Sequence, residues 1–236
     1  MAKYVRKDRV GLSRVAYGKV NCNDRRSLRQ YVQTLQSSDP RILNRNEQLA
    51  FWLNLYNARM VLLVLDNYPL RSVRQLKTEF KDFVGPFDDS ILCILGESLS
   101  LNDIESGIVR PIWQDPRIHY ALNCASYGCP NLQNRAWSGQ TLDSDLDSAA
   151  YNFINSGRAI KTGTLGHKLI ASRIFKWYKD DFGGTDAAVL NHMRQYANSK
   201  TCQILAGRDH ISHYMYDWSL NDAKHNGPRL LESIRR

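Results

Sequence analysis

The chain lacks any stretch approaching the roughly 20 consecutive apolar residues needed to cross a bilayer. Its most apolar run, Met60 to Leu65, is far shorter, so no transmembrane segment is expected. The first residues are basic and polar with no apolar centre, so no signal peptide is visible. Internal repeats, heptad runs and low-complexity segments are also missing, which removes repeat and coiled-coil architectures. There is no Gly-rich phosphate loop, no dinucleotide fingerprint, no His-Glu-x-x-His and no Gly-x-Ser-x-Gly. Nucleotide-dependent chemistry and the common serine hydrolase fold are therefore disfavoured, and no cofactor is expected. Cysteine is scarce and odd in number: Cys22, Cys93, Cys124, Cys129 and Cys202. An odd count argues against a fully paired disulfide framework and leaves at least one thiol free or intermolecular.

What is present describes a globular chain. Its 236 residues are 43% hydrophobic and 10% aromatic, enough for a real core in one elaborated domain. Lys and Arg number 32 against 23 Asp and Glu, a formal charge of +9. That surplus is compatible with nucleic acid or anionic lipid. The basic residues are scattered, however, with their densest cluster at Lys3 to Arg14, and no nucleic-acid motif accompanies them. Nucleic-acid binding is disfavoured.

The first 20 residues show no strong period and read as an N-terminal arm. Leu28, Tyr31, Val32 and Leu35 recur at helical spacing, predicting a helix over Asp24 to Leu35 that ends before Pro40. A second helix, capped by Asn44 or Asn46, runs through Leu49 to Leu65 and stops at Asn67-Tyr-Pro69. It is apolar around nearly its whole circumference and should be central and buried. Leu70 to Leu76 suggests a short arginine-faced helix before a loop at Gly85-Pro86. Ser90 to Leu95 and Leu99 to Leu101 suggest a hairpin, and Asp103 to Ile108 a helix ending at Pro111. Ile118 to Asn123 reads as a strand, Leu142 to Ile154 as a helix, and Lys168 to Ile170 as a strand. Ser172 to Asp180 and Ala187 to Ala197 read as helices parted by Gly183-Gly184. His210 to Asp217 reads as a last strand, and 224–236 as a polar tail. Helices outnumber strands without regular interleaving, which favours an α+β fold. The expectation is one helix-rich domain over 21–223 with a small, mainly antiparallel sheet.

The chemistry concentrates in His119-Tyr-Ala-Leu-Asn-Cys124-Ala-Ser-Tyr-Gly-Cys129-Pro130. A thiolate nucleophile needs a base or cation beside it, and an imidazole is the usual choice. Five residues apart on a strand, His119 and Cys124 would face opposite ways. They meet only if the chain bends after Asn123, for which Ala125 to Gly128 is suited. The spacing leaves other readings open: a Cys124–Cys129 disulfide, a metal site with His119, a small buried cysteine, or a core histidine. Cys-x4-Cys lies at the edge of structural zinc spacing and has no second pair nearby.

Glu47, Asn54 and Asn57 share roughly one face of the buried helix amid Phe51, Trp52, Leu53 and Tyr56. Such groups must be hydrogen-bonded or cost about 1–3 kcal/mol each. They either pin loops to the core or orient a catalytic imidazole. Glu105, 14 residues before His119, can orient that histidine, cap a helix or pair with Arg110. Asp217 is another acid beside aromatic residues. Trp177, Tyr178 and Asp181 read as packing residues.

Collected in order, several blocks resemble the domain of unknown function 547 family. They are Asn46-Glu47-Gln-Leu-Ala-Phe-Trp-Leu-Asn54-Leu-Tyr56-Asn57-Ala, Leu99-Ser-Leu-Asn-Asp-Ile-Glu105-Ser-Gly-Ile-Val-Arg110 and Asp115 through Pro130. Ile174-Phe-Lys-Trp-Tyr-Lys-Asp-Asp-Phe-Gly183 and Tyr216-Asp217-Trp218-Ser continue the likeness. The family's name records no activity. The resemblance implies that Glu47, Asn54, Asn57, Glu105, His119 and Cys124 are recurrent polar positions, and Cys129 matches the bacterial form. Bacterial members often look exported or lipid-anchored, which implies a periplasmic or envelope location.

A Glu, a His and a Cys among the recurrent positions resemble a cysteine-type hydrolase or acyl transferase. Cys124 would be the nucleophile, His119 the general base, and Glu105 or Glu47 the orienting acid. Backbone N–H groups of Ala125 to Gly128 would form an oxyanion hole. The substrate would be a small-molecule or peptide amide, ester or thioester, with no metal required. Asn54, Asn57, Cys129 and Asp217 would support the site. The alternative is a non-catalytic envelope binding module with a structural Cys124–Cys129 pair.

Overall fold

Asn44 determines where the central helix begins. Its Oδ1 accepts the N–H groups of Asn46 and Glu47 at 3.1 and 3.0 Å, and Glu47 Oε2 accepts the Asn44 N–H at 3.2 Å. This reciprocal capping box satisfies donors that the first helical turn would otherwise leave orphaned. In the computed structural model, which describes residues 2–8, 11–76, 86–163 and 168–224, that helix runs from Arg45 to Asn67. It is long and apolar enough to cross a membrane on length and composition, yet 78% of its apolar window is buried by the rest of the chain. It is the core helix.

The remaining elements wrap it. Strands β1 (Val5–Lys7) and β2 (Ser13–Val15) precede helix α1 (Cys22–Gln36), which packs along the central helix, α2 (Arg45–Asn67). Then follow β3 (Leu92–Ile94), β4 (Glu97–Leu99), α3 (Arg110–Trp113) and α4 (Leu142–Ile154). The chain ends with β5 (Ile160–Thr162), β6 (Leu169–Ser172), α5 (Ile174–Trp177), α6 (Asp186–Tyr196), α7 (Ser199–Leu205) and β7 (His213–Met215). The fold is α+β and helix-rich. Among the described residues its strands form three small sheets rather than one: the antiparallel hairpins β1–β2 and β3–β4, and a three-stranded sheet. In the last, β6 lies between antiparallel β5 and parallel β7, with Ala171 opposite both Ile160 and Tyr214.

Four sequence expectations require correction. Residues 118–123 form no strand: Asp115 Oδ1 accepts the Arg117 N–H at 2.8 Å and starts a 3-10 turn over Pro116–Tyr120. Every side chain from Ile118 to Asn123 is buried, so the apparent alternation does not separate a wet face from a dry one. Pro111 does not end its helix. Asp103–Val109 is a π turn, in which the Arg110 N–H reaches back to the Glu105 carbonyl, and Pro111 then enters the first turn of α3, where no N–H is needed. The arm within residues 1–20 carries the β1–β2 hairpin, whose Val15 also bridges Asp222. Leu70 to Leu76 contains only a 3-10 turn at Val73–Gln75. Gly85 and residues 225–236 of the tail lie outside the described residues.

Candidate active site

His119 is held from both sides of its ring. It is 4% exposed and stacks on Tyr178, ring centroids 4.0 Å apart. Its Nε2 lies 2.6 Å from Asp181 Oδ2, and its Nδ1 lies 3.9 Å from Glu105 Oε1. Asp181 also receives a bidentate fork from Arg110, Nε at 2.6 Å and Nη2 at 3.0 Å. Burial pushes the Asp181 carboxyl up, but hydrogen bonds from His119 and Arg110 outweigh it and hold the group well below the usual carboxylate range. The π turn places Glu105 and Arg110 on this wall together. Such turns recur at functional sites because they shift side-chain register by one residue.

Glu105 is buried, with its carboxylate facing the Tyr56 and Tyr178 hydroxyls. Burial, and then the Glu105 charge, push both phenols well above the usual tyrosine range, so they remain proton donors.

The sulfur wall lies opposite. Cys124 and Cys129 form a disulfide with Cα atoms 6.2 Å apart. Cys124 is half-buried, whereas Cys129 is 4% exposed. Cys124 Sγ lies 3.0 Å from Ser126 Oγ and 3.1 Å from the Tyr216 hydroxyl, which is itself 2.8 Å from Ser126 Oγ. Ala125 follows with φ 59°, a left-handed conformation that costs a non-glycine residue of order 1 kcal/mol. It is pinned there because its N–H bonds Asn123 Oδ1 at 2.9 Å and its carbonyl accepts from Asn221 N at 3.0 Å.

Between the walls is a cavity of about 200 Å³, lined by Glu105, His119, Cys124, Cys129 and the rings of Tyr56, Trp177, Tyr178, Tyr216 and Trp218. Three of the residues singled out from sequence for catalysis, Cys124, His119 and Glu105, thus meet in one place. Among the described residues no hydrogen bond joins His119 to Cys124.

The other candidates lie elsewhere. Glu47 is exposed and spends its carboxylate on the α2 cap, so it does not reach the cavity. Asn54 holds Trp137 by its N–H and carbonyl, each at 2.9 Å. Asn57 bonds the Ala121 carbonyl and the Asn123 N–H, both at 2.8 Å, and so braces the turn leading into Cys124. Asp217 folds its side chain onto Ser219 N and Oγ, at 2.9 and 2.5 Å. Its backbone passes so close to Gly128 that a Cβ there would lie 3.0 Å from Asp217 N and O.

Of the four amides anticipated as an oxyanion hole, three are already bonded within the protein. Ala125 N–H bonds Asn123, Tyr127 N–H bonds the Ser219 carbonyl and Gly128 N–H bonds the Asp217 carbonyl. Two contributors lay outside the sequence expectations. Asp181, read as packing, is the acid on the histidine, and Tyr216 bridges the sulfurs. Only the acid-rich Lys-Asp-Asp-Phe pattern hinted at the first. Among the described residues no group of three or more His, Cys, Asp or Glu side chains is arranged to hold a metal ion.

Fold and site together define a helix-rich α+β domain organised around one cysteine- and histidine-lined cavity. Residues 19–154, more than half of the chain, match the family model described as Protein of unknown function, DUF547, and the chain belongs to that family. No curated protein and no solved structure matches it. Glu105, His119, Cys124 and Cys129 fall inside the matched segment, whereas Tyr178, Asp181 and Tyr216 lie beyond it.

Proposed function

We propose that the chain is a cysteine-type hydrolase or acyl transferase acting on an amide, ester or thioester, with Cys124 as nucleophile in its reduced form. The observation carrying this reading is the convergence of Cys124, His119 and Glu105, from two separated stretches of sequence, on one aromatic-walled cavity of about 200 Å³. Asp181 at His119 Nε2 accepts that N–H, which leaves the Nδ1 lone pair as the base. The orienting acid is then Asp181 rather than Glu47 or Glu105. Reduction frees Cys124 Sγ to turn towards Nδ1, pass its proton there and attack the substrate carbonyl. Glu105, 3.9 Å from Nδ1, stabilises the imidazolium so formed. The Cys124 N–H, directed at Cys129 Sγ 3.0 Å away, serves the oxyanion only once the reduced Cys129 side chain has turned away from it. An envelope location is part of this proposal, and because an oxidising compartment would keep the cysteine pair closed, acyl transfer there requires a reductant that opens Cys124–Cys129 first.

The test is acylation of fully reduced protein by a p-nitrophenyl ester and by an acyl thioester. The expected result is a stoichiometric acyl mass on Cys124 in wild type and none in Cys124→Ala. Reduced protein that takes no acyl group would sink the reading.

A second reading, a non-catalytic binding module with a structural disulfide, is favoured by the closed Cys124–Cys129 bond and by imidazole nitrogens that both face carboxylates. It predicts ligand binding in the cavity that is indifferent to Cys124→Ala.

A further inference from the structure

The two sulfurs of the pair differ in what surrounds them. Cys124 is half-buried at the cavity wall, so a small thiol entering the cavity meets its Sγ. Cys129 also borders the cavity but is only 4% exposed, so it is the less accessible of the two. The Tyr216 hydroxyl lies near both sulfurs, 3.1 Å from Cys124 Sγ and 3.3 Å from Cys129 Sγ, and Ser126 Oγ lies 3.0 Å from Cys124 Sγ; the donor particular to Cys129 Sγ is the Cys124 N–H at 3.0 Å. A buried cation stands close by, because Arg158 Nη1 donates to the Cys129 carbonyl at 2.5 Å. Burial lowers the Arg158 pKa to about 10, so it keeps its charge at neutral pH. Hydrogen-bond donors and a nearby positive charge favour a thiolate, and a better-stabilised thiolate leaves faster in exchange.

We propose that Cys124–Cys129 is an exchange-active disulfide with a fixed direction: small thiols attack at Cys124 Sγ and Cys129 leaves as the thiolate. In the first step a thiolate RS⁻ forms a bond to Cys124 Sγ, and the electron pair of the Cys124–Cys129 bond departs on Cys129. In the second step another RS⁻ attacks the R-bearing sulfur, giving RSSR and the Cys124 thiolate. Two external thiols are oxidised, one protein disulfide is reduced, and the two thiol protons are available to the released cysteines. The mixed disulfide places R inside the cavity beside His119, so thiol occupancy and the thiol/disulfide balance both gate the site. The exchange itself stands on the surroundings of the two sulfurs. Only its consequence as a gate rests on the acyl-transfer reading.

The experiment uses the full chain. Native wild type should titrate three thiols, Cys22, Cys93 and Cys202, which are exposed and unpaired, out of five cysteines, and all five only after reduction. With those three replaced by Ser, the Cys129→Ser variant should take glutathione from glutathione disulfide at least about tenfold faster than the Cys124→Ser variant. Five thiols in air-oxidised native protein, or equal or reversed rates for the two variants, would overturn the proposal. If either variant fails to fold, the triple-Ser protein with its disulfide intact is treated with reduced glutathione, acid-quenched at short times and fragmented in the mass spectrometer. A glutathionyl group on Cys124 supports the direction, and one on Cys129 refutes it. Exchange without acylation removes the hydrolase reading alone. Acylation of reduced protein without directional exchange removes this inference alone.

Discussion

Helix α2 forms a wall of two cavities, and they differ in what their polar groups have left over. The larger, about 360 Å³, is lined by Asn54 and Asn57, the Lys3–Asp24 pair and the segment from Leu132 to Trp137. Three of its polar groups are bonded within the protein: Asn54 to Trp137, Asn57 to Ala121 and Asn123, Lys3 to Asp24. The smaller, about 200 Å³, holds an imidazole flanked by two carboxylates, one of them buried, and a half-buried cysteine sulfur. A reacting site needs groups whose bonding capacity is oriented but not exhausted, and the proposed function rests on the smaller cavity for that reason.

The largest expected effect tests that contrast directly. In reduced protein, Cys124→Ala should lower acyl transfer by at least about 10³-fold, roughly 4 kcal/mol of barrier, while Asn54→Ala changes it by less than about twofold. Rates are measured with the same ester on both variants. If Asn54→Ala proves the more damaging, the larger cavity is the site. Next is Asp181→Asn, which removes the carboxylate charge 2.6 Å from His119 Nε2. A loss of about 10²-fold in the acyl-transfer rate is expected, with a pH profile displaced from wild type, because the base and not merely the fold has been altered. A variant with unchanged rate and profile would return Asp181 to a packing role.

These residues also show what could be read before the structure. Helix α2 was legible because its cap is local: Asn44 and Glu47 are three residues apart, and the apolar run begins two residues later. Helix α4 was legible at Leu142–Ile154 for the same reason of short-range pattern. Cys124, His119 and Glu105 were identified through their neighbours in sequence. Asp181 was not, because it lies 62 residues from the histidine that it holds, and only folding brings them together. The strand expected at 118–123 failed because alternation in a fully buried segment carries no information about faces. The helix through Pro111 was missed because a π turn changes the register just where a proline would otherwise end it.

Asn57→Ala sharpens the comparison from the side of stability. Asn57 lines the larger cavity but serves the smaller, since its amide holds Ala121 and Asn123 at the entrance to the Cys124 turn. Removing it leaves a buried carbonyl and a buried N–H unpaired, at an expected cost of about 2–3 kcal/mol in denaturant unfolding. Asn54→Ala, with its partly buried partners, should cost about 1 kcal/mol. Equal losses would mean that the two amides serve the fold alike.

The smallest effect separates the surroundings by pH. His192, 3.0 Å from the Tyr120 hydroxyl behind the His119 wall, is kept neutral by burial, which lowers its pKa from 6.5 to about 4. Above pH 6.5 neither the folded nor the unfolded chain protonates it, so its neutrality stabilises the fold without any slope. Between pH 6.5 and about 4 the unfolded chain takes up a proton that the folded chain refuses, and stability falls as the pH falls. Discounted for partial solvent access, the loss across that window is about 2 kcal/mol. His192→Gln cannot titrate and should flatten this limb in urea unfolding followed from pH 7.5 to 4.5. The Lys3–Asp24 pair beside the larger cavity lies at the surface, and Asp24→Asn should leave the limb as it is in wild type. If the slope survives in His192→Gln, the proton is taken up elsewhere and the neutral His192 is not its cause.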